Sequence, residues 1–251
     1  MPADTTRRTN RERLAARRAA EAAARARAER RRRSVLGGLL GAVVVLVVLV
    51  VVVVVQTHRT STAAAGPAPA NTVDGTEIVV GSATAPVTVD LYEDFQCPNC
   101  KAFEAESGQT LAQLVAAGTV QAHYHGMAFL DTSANGQYST RALNAADAVV
   151  AAAGPTAFQA FHDLLFANQP AETGSGLTDA QLVQYAGQAG ASGSAVEQAI
   201  QNLTYGDWVK KVTDQASKDG VTGTPTVLVG GKKLADLTAA GLTAAVTAAA
   251  A

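Results

Sequence analysis

The chain has 251 residues and a formal net charge of −1, with 48% apolar side chains and only two cysteines. That apolar content excludes a wholly disordered chain, and two cysteines exclude a disulfide-stapled mini-protein or a four-thiolate zinc ribbon. The near-zero charge hides a division: residues 1–34 hold twelve arginines against four acids, a net of +8, and residues 35–251 carry −9.

The basic segment 1–34 is Ala/Arg-rich and helix-prone, and Arg30–Arg33 abut an apolar run. No aromatic residue interleaves its arginines, so it reads as a topogenic anchor touching anionic lipid, not as a nucleic-acid-binding arm. Val35–Val55 is free of polar side chains, and its 21 residues as a helix match a ~30 Å hydrocarbon core. Residues 35–55 are therefore expected to be a transmembrane helix. Its valines do not argue for a strand, because an isolated strand in lipid leaves its backbone polar groups unpaired. Arg59 is the lone base soon after the span, so the positive-inside rule predicts a single-pass cell-membrane protein with its N-terminus cytoplasmic and the rest extracytoplasmic. A cleaved signal peptide is the rival reading, supported by the small residues Ala63–Ala65, but its apolar region is ordinarily ~7–15 residues. Residues 56–72 are rich in Thr, Ser, Ala, Gly and Pro and read as a linker.

Residues 73–251 are enough for one domain with a sizeable core. Pro86–Tyr92 reads as a buried strand, Pro98–Ala117 as a helix and Thr119–Tyr124 as a second strand. Successive helices are expected over Tyr138–Ala153, Pro155–Asn168, Thr178–Ala189, Ser194–Leu203 and Asp207–Asp219. Thr226–Val229 is a strand, Gly230-Gly231 a tight turn and Lys232–Leu234 the return strand, with a terminal helix in Leu237–Ala251. The plan is α/β with a helical insertion at about 138–205.

Both cysteines fall in one C-x-x-C, Cys97-Pro98-Asn99-Cys100, at the strand-to-helix junction. A thiolate there meets unpaired backbone N–H groups, which lowers its pKa, and Pro98 suits a first helical turn because it has no N–H. Cys97 is then the attacking or leaving thiolate and Cys100 the more enclosed resolving thiol. The Asn99 side chain is placed to donate toward the Cys97 sulfur. Two plainer readings stand beside this one. The pair is half of a zinc site completed by His123 and His125, or it is an inert disulfide, which would staple little across so short a loop. His123 and His125 otherwise read as ordinary strand residues and His162 as a helix-surface histidine. Far along the chain, Thr224-Pro225 enters a strand, where proline removes a ladder hydrogen bond. A cis Thr224–Pro225 bond is expected, presenting the Thr224 backbone beside the dithiol.

Asp94-Phe95-Gln96-Cys97-Pro98-Asn99-Cys100-Lys101, a helical block and then Gly223-Thr224-Pro225-Thr226 together resemble the DsbA-like family of thioredoxin-fold disulfide oxidoreductases, in its membrane-anchored actinobacterial form. The resemblance covers about Pro86 to Leu234. It implies a thioredoxin-like fold with an inserted helical subdomain, no metal, and no cofactor besides the Cys97–Cys100 disulfide. It also implies catalysis by Cys97 and Cys100, with Pro98 and Asn99 tuning them and Thr224 and Pro225 forming the client-binding loop. The implied partners are exported cysteine-containing polypeptides and a membrane redox partner. Relatives carry a buried acid six residues before the first cysteine, and here that position is Leu91. Asp90 and Glu93 are expected on the opposite face from Leu91, leaving Asp94 or water as the substitute. Oxidation of exported cysteine pairs is the leading expectation. Reduction, isomerisation or a non-catalytic binding role are the alternatives.

Overall fold

The computed structural model describes residues 68–73 and 76–251. The basic segment, the expected membrane span and most of the linker lie outside the described residues. Among the described residues no helix is long and apolar enough to cross a membrane.

Five strands form one mixed sheet: β1 (Ile78–Val80), β2 (Val87–Glu93), β3 (Val120–Gly126), β4 (Thr226–Val229) and β5 (Lys232–Lys233). Their spatial order is β1-β3-β2-β4-β5. Central β2 runs parallel to β3 and antiparallel to β4, and β1 pairs antiparallel with β3. Alternation sorts β2 cleanly: Val87, Val89, Leu91 and Glu93 are buried, while Thr88, Asp90 and Tyr92 face the other side, half-buried. The parallel β2–β3 pair requires a crossover. It is supplied by α1 (Pro98–Phe103), one π-helical turn (Glu104–Gly108) and α2 (Gln109–Ala116). The expected single helix thus holds one extra residue per turn at its middle, a device that re-aims side chains. At β4–β5, Gly230 and Gly231 both have positive φ (55° and 75°), as a tight hairpin turn requires. Exposed Lys232 and Lys233 discourage further pairing along this outer strand.

The helical insertion begins with α3 (Tyr138–Ala167). The two expected helices meet end to end inside it. Gly154 (φ 81°, ψ −176°) breaks the first, and Pro155, lacking an N–H, starts the second. It continues through α4 (Asp179–Gln188) and α5 (Ser194–Gln201), and α6 (Gly206–Lys218) follows it. Thr178 and Gln181 form a reciprocal capping box at the start of α4. Buried Asn144 of α3 donates to the carbonyls of Ala199 and Ile200 and accepts from Tyr205 N–H, holding the end of α5 against α3. α7 (Ala239–Ala249) packs on α2 and β4. One apolar core runs through the sheet and α3 from Val87, Val89 and Leu91 to Phe161 and Leu165. Strand β1 is the element that the sequence pattern did not reveal. It spans three residues, too few to display an alternation.

Candidate active site

The active-site turn starts where β2 ends. The Asp94 carboxylate is fully buried and accepts from Gln96 N–H (2.9 Å), Leu130 N–H (3.0 Å) and the Ser139 hydroxyl (2.6 Å). Burial pushes its pKa up to about 6 against those hydrogen bonds. With its oxygens committed to structure, Asp94 is not the substitute acid. Buried Gln96 donates to the Glu172 carbonyl (2.9 Å) and accepts from Asn135 (2.7 Å), while Gln169 donates to the Cys97 carbonyl (2.8 Å). The helical insertion thereby grips the loop on both sides of the first cysteine.

Cys97 caps α1 in an extended conformation (φ −74°, ψ 118°) and Pro98 opens the helix. Both thiols are free, with Cys97 5% exposed and Cys100 fully enclosed. The Cys97 pKa falls to about 5. The hydrogen bond from the Cys100 thiol is the largest cause; burial opposes it, and the Thr224 hydroxyl and the backbone N–H groups of Cys100 and Asn99 assist. The Cys100 thiol is held far above the ordinary range by that same hydrogen bond, by burial and by the negative charge of Glu93. Two identical side chains three residues apart therefore have opposite acidities. Asn99 acts through its backbone N–H, and its side chain is exposed, which corrects the expected side-chain donation. Thr224–Pro225 is cis, and the Thr224 carbonyl lies 3.3 Å from Cys97 Sγ. Residues 127 positions apart thus meet at the dithiol.

The zinc alternative is not assembled. His123 and His125 project from the sheet face opposite Leu91 and Glu93. His123 pairs with Glu77 (3.0 Å), and His125 reaches Glu77 and Asp90 (3.5 Å each) and stacks on Tyr92. Among the described residues, neither cysteine joins a cluster of three possible metal ligands.

Two further expectations are overturned. Glu93 is two residues from Leu91, so alternation puts both on the same face, and Glu93 is 6% exposed. His162 is 2% exposed and not on the surface. It lies in an aromatic box of Phe95, Tyr124, Phe158 and Phe166, with ring centroids 4.9–5.8 Å away. Its Nε2 meets Glu93 Oε2 at 2.9 Å. Burial alone would lower its pKa, but Glu104, Asp163 and Glu93 together push it up to about 10. The spacing of Phe158, Phe161, His162, Leu165 and Phe166 is that of one buried helical stripe, so this burial was readable from the sequence.

A fold of this topology carrying an asymmetric C-x-x-C beside a cis-proline loop defines a thioredoxin-fold dithiol protein. A family model described as thioredoxin matches residues 73–248. Reduced DsbA from Mycobacterium tuberculosis is 34% identical (TM-score 0.60), the match covering 70% of this chain and 98% of that one. The reduced disulfide bond oxidoreductase DsbG from the same organism is 36% identical (TM-score 0.62), covering 74% and 89%. The chain belongs to the DsbA-like family of thioredoxin-fold thiol-disulfide oxidoreductases. It also matches the serine/threonine-protein kinase PknE of Mycobacterium tuberculosis, 33% identical over 123 residues, 47% of this chain but only 22% of the kinase's length.

Proposed function

We propose that this chain is an extracytoplasmic thiol oxidase that passes its Cys97–Cys100 disulfide to cysteine pairs of exported polypeptides. The observation that carries this reading is the acidity of Cys97, with its pKa lowered to about 5. A stabilised thiolate makes the reduced protein stable and the disulfide oxidising. In the reaction a client thiolate attacks Cys97 Sγ, the Cys97–Cys100 bond breaks, and Cys100 leaves as a thiolate and takes a proton. A second client thiolate then attacks the mixed disulfide, giving the client disulfide and the Cys97 thiolate. No bound cofactor enters these steps, because the electron pair rests on the two protein sulfurs.

The Thr224 carbonyl beside Cys97 Sγ offers a backbone acceptor to a client segment lying extended across the dithiol. The apolar run 35–55, flanked by Arg30–Arg33, supports a single-pass anchor that holds the domain outside the cytoplasm, where disulfides persist. A membrane-bound redox partner would then re-oxidise Cys97 and Cys100. Equilibration of the full-length chain with glutathione buffers tests the direction of transfer. An oxidase should have a potential near that of strong oxidants, about −120 to −180 mV, whereas about −270 mV would mark a reductase.

A further inference from the structure

The sheet face opposite Leu91 and Glu93 plays no part in the dithiol chemistry, yet three neighbouring strands set two histidines and two acids side by side on it. Parallel pairing puts Asp90 of β2 opposite His123 of β3, and alternation puts His125 on the same face two residues on. Antiparallel pairing of Ile78 with Tyr124 brings Glu77, immediately before β1, level with His125. A backbone bridge between Val73 and Glu77 fixes the chain there.

The separations are those of ligands around one ion. Glu77, Asp90 and His123 each offer one donor atom, and these lie within 4.8 Å of one another. Glu77 Oε2 is 3.0 Å from His123 Nδ1 and 3.5 Å from His125 Nε2, which is itself 3.5 Å from Asp90 Oδ1. Nitrogen and oxygen donors held at ~2.0–2.2 Å by a tetrahedral ion stand about 3.3–3.6 Å apart. The three contacts are already near that spacing.

The proton positions point the same way. His123 Nε2 lies 3.0 Å from Gln121 Oε1, an acceptor, so Nε2 carries the proton. In the neutral ring Nδ1 then turns a lone pair toward the Glu77 carboxylate, acceptor against acceptor at 3.0 Å. An added proton would serve that pair alone. A divalent cation serves all four groups, and its charge balances two carboxylates beside two neutral imidazoles. Gln121 is placed as the outer partner that fixes the tautomer of a metal-bound histidine. Tyr92 stacks on His125 with ring centroids 4.3 Å apart and holds the second ring. The four side chains are 11–21% exposed, which shields the site from bulk water and leaves it open to an entering ion.

We propose that Glu77, Asp90, His123 and His125 bind a first-row divalent cation of the Zn²⁺ class. Imidazole nitrogen suits that class, whereas Ca²⁺ and Mg²⁺ take shells of six or more oxygens. With four protein ligands the ion has a structural role and no open position for chemistry. It clamps β1, the first strand of the domain, to β3 and to β2, the strand that leads into the active-site turn.

The test uses the full-length chain with its two cysteines, Cys97 and Cys100, joined as a disulfide, so that no thiol competes for the ion. Zn²⁺ is titrated calorimetrically, and Co²⁺ is added in a parallel series followed by visible absorption. One Zn²⁺ should bind per chain at micromolar concentration and raise the melting midpoint, and Co²⁺ should give the intense bands of a four-coordinate site. His123→Ala and Glu77→Gln should each weaken Zn²⁺ binding by at least about 100-fold, and Gln121→Ala by about 10-fold. Glu77→Gln keeps the side-chain volume, so it remains informative if His123→Ala folds poorly. Absence of saturable Zn²⁺ binding to the unsubstituted chain would overturn the assignment. An affinity within about threefold of the unsubstituted value in either folded variant would overturn it too, because the ion would then sit elsewhere.

Discussion

The two sides of the active-site turn are opposite solutions for one kind of side chain. On the outer side, Cys97 collects donors: the Cys100 thiol, the Thr224 hydroxyl and two backbone N–H groups. On the inner side, Cys100 meets a packed interior and the charge of Glu93. The outer sulfur is consequently an anion at neutral pH and the inner one a thiol. What separates them is not chemistry but three residues of helix, which carry one sulfur from the cap to the core. The lesson is that a C-x-x-C acquires direction from its surroundings, and each side can be altered separately.

The largest effect expected is the loss of the outer nucleophile. Cys97→Ser should abolish disulfide transfer, whereas Cys100→Ala should keep the first attack and accumulate Cys97 mixed disulfides, separable on non-reducing gels. If both variants behave alike, the division of labour is wrong. On the inner side, His162→Ala leaves buried Glu93 and Glu104 without their cation and opens a cavity. A loss of about 3–5 kcal/mol in stability is expected, measured as a lowered denaturation midpoint. The reduced protein should be more stable than the oxidised one, because the Cys97 pKa is depressed from 9.0 to about 5 in the folded chain. The contribution is complete above the unfolded value near pH 9, amounts to about 2 kcal/mol at pH 7 with screening allowed for, and vanishes as pH falls through about 5. Parallel urea unfolding of both redox forms at pH 4, 7 and 9 checks this. The smallest effect belongs to Asn99→Ala. Because Asn99 works through its backbone, the Cys97 pKa should move by less than about half a unit (0.7 kcal/mol).

The outer side of this comparison was far more legible in the sequence than the inner side. Cys97, Pro98 and Cys100 are adjacent, and a strand-to-helix junction with proline at the first turn announces a thiolate site. Thr224-Pro225 stood out because proline is unwelcome at a strand entrance. The inner cluster is assembled from residues 93, 104 and 162, whose approach depends on tertiary packing. Part of it was nevertheless readable. Period-two alternation puts Glu93 on the face of Leu91, and helical spacing puts His162 in a phenylalanine stripe. Glu104 was not readable. Its inward aim depends on a π-helical turn, which no periodicity of Pro98–Ala117 signals, and on the empty space at Gly108. Alternation of Val120, Ala122 and Tyr124 was sufficient to find β3, whereas β1 was too short to show any.

The outer thiolate is the claim on which the rest depends, and a thiolate-absorbance titration of the reduced full-length chain tests it most directly, with Cys100→Ala as a single-thiol comparison. The reduced chain should titrate with a midpoint near 5, and Cys100→Ala should titrate higher because the largest stabilising hydrogen bond is gone. A midpoint for Cys97 at or above the free-cysteine value of about 8.5 would contradict the asymmetry and the oxidase reading built on it.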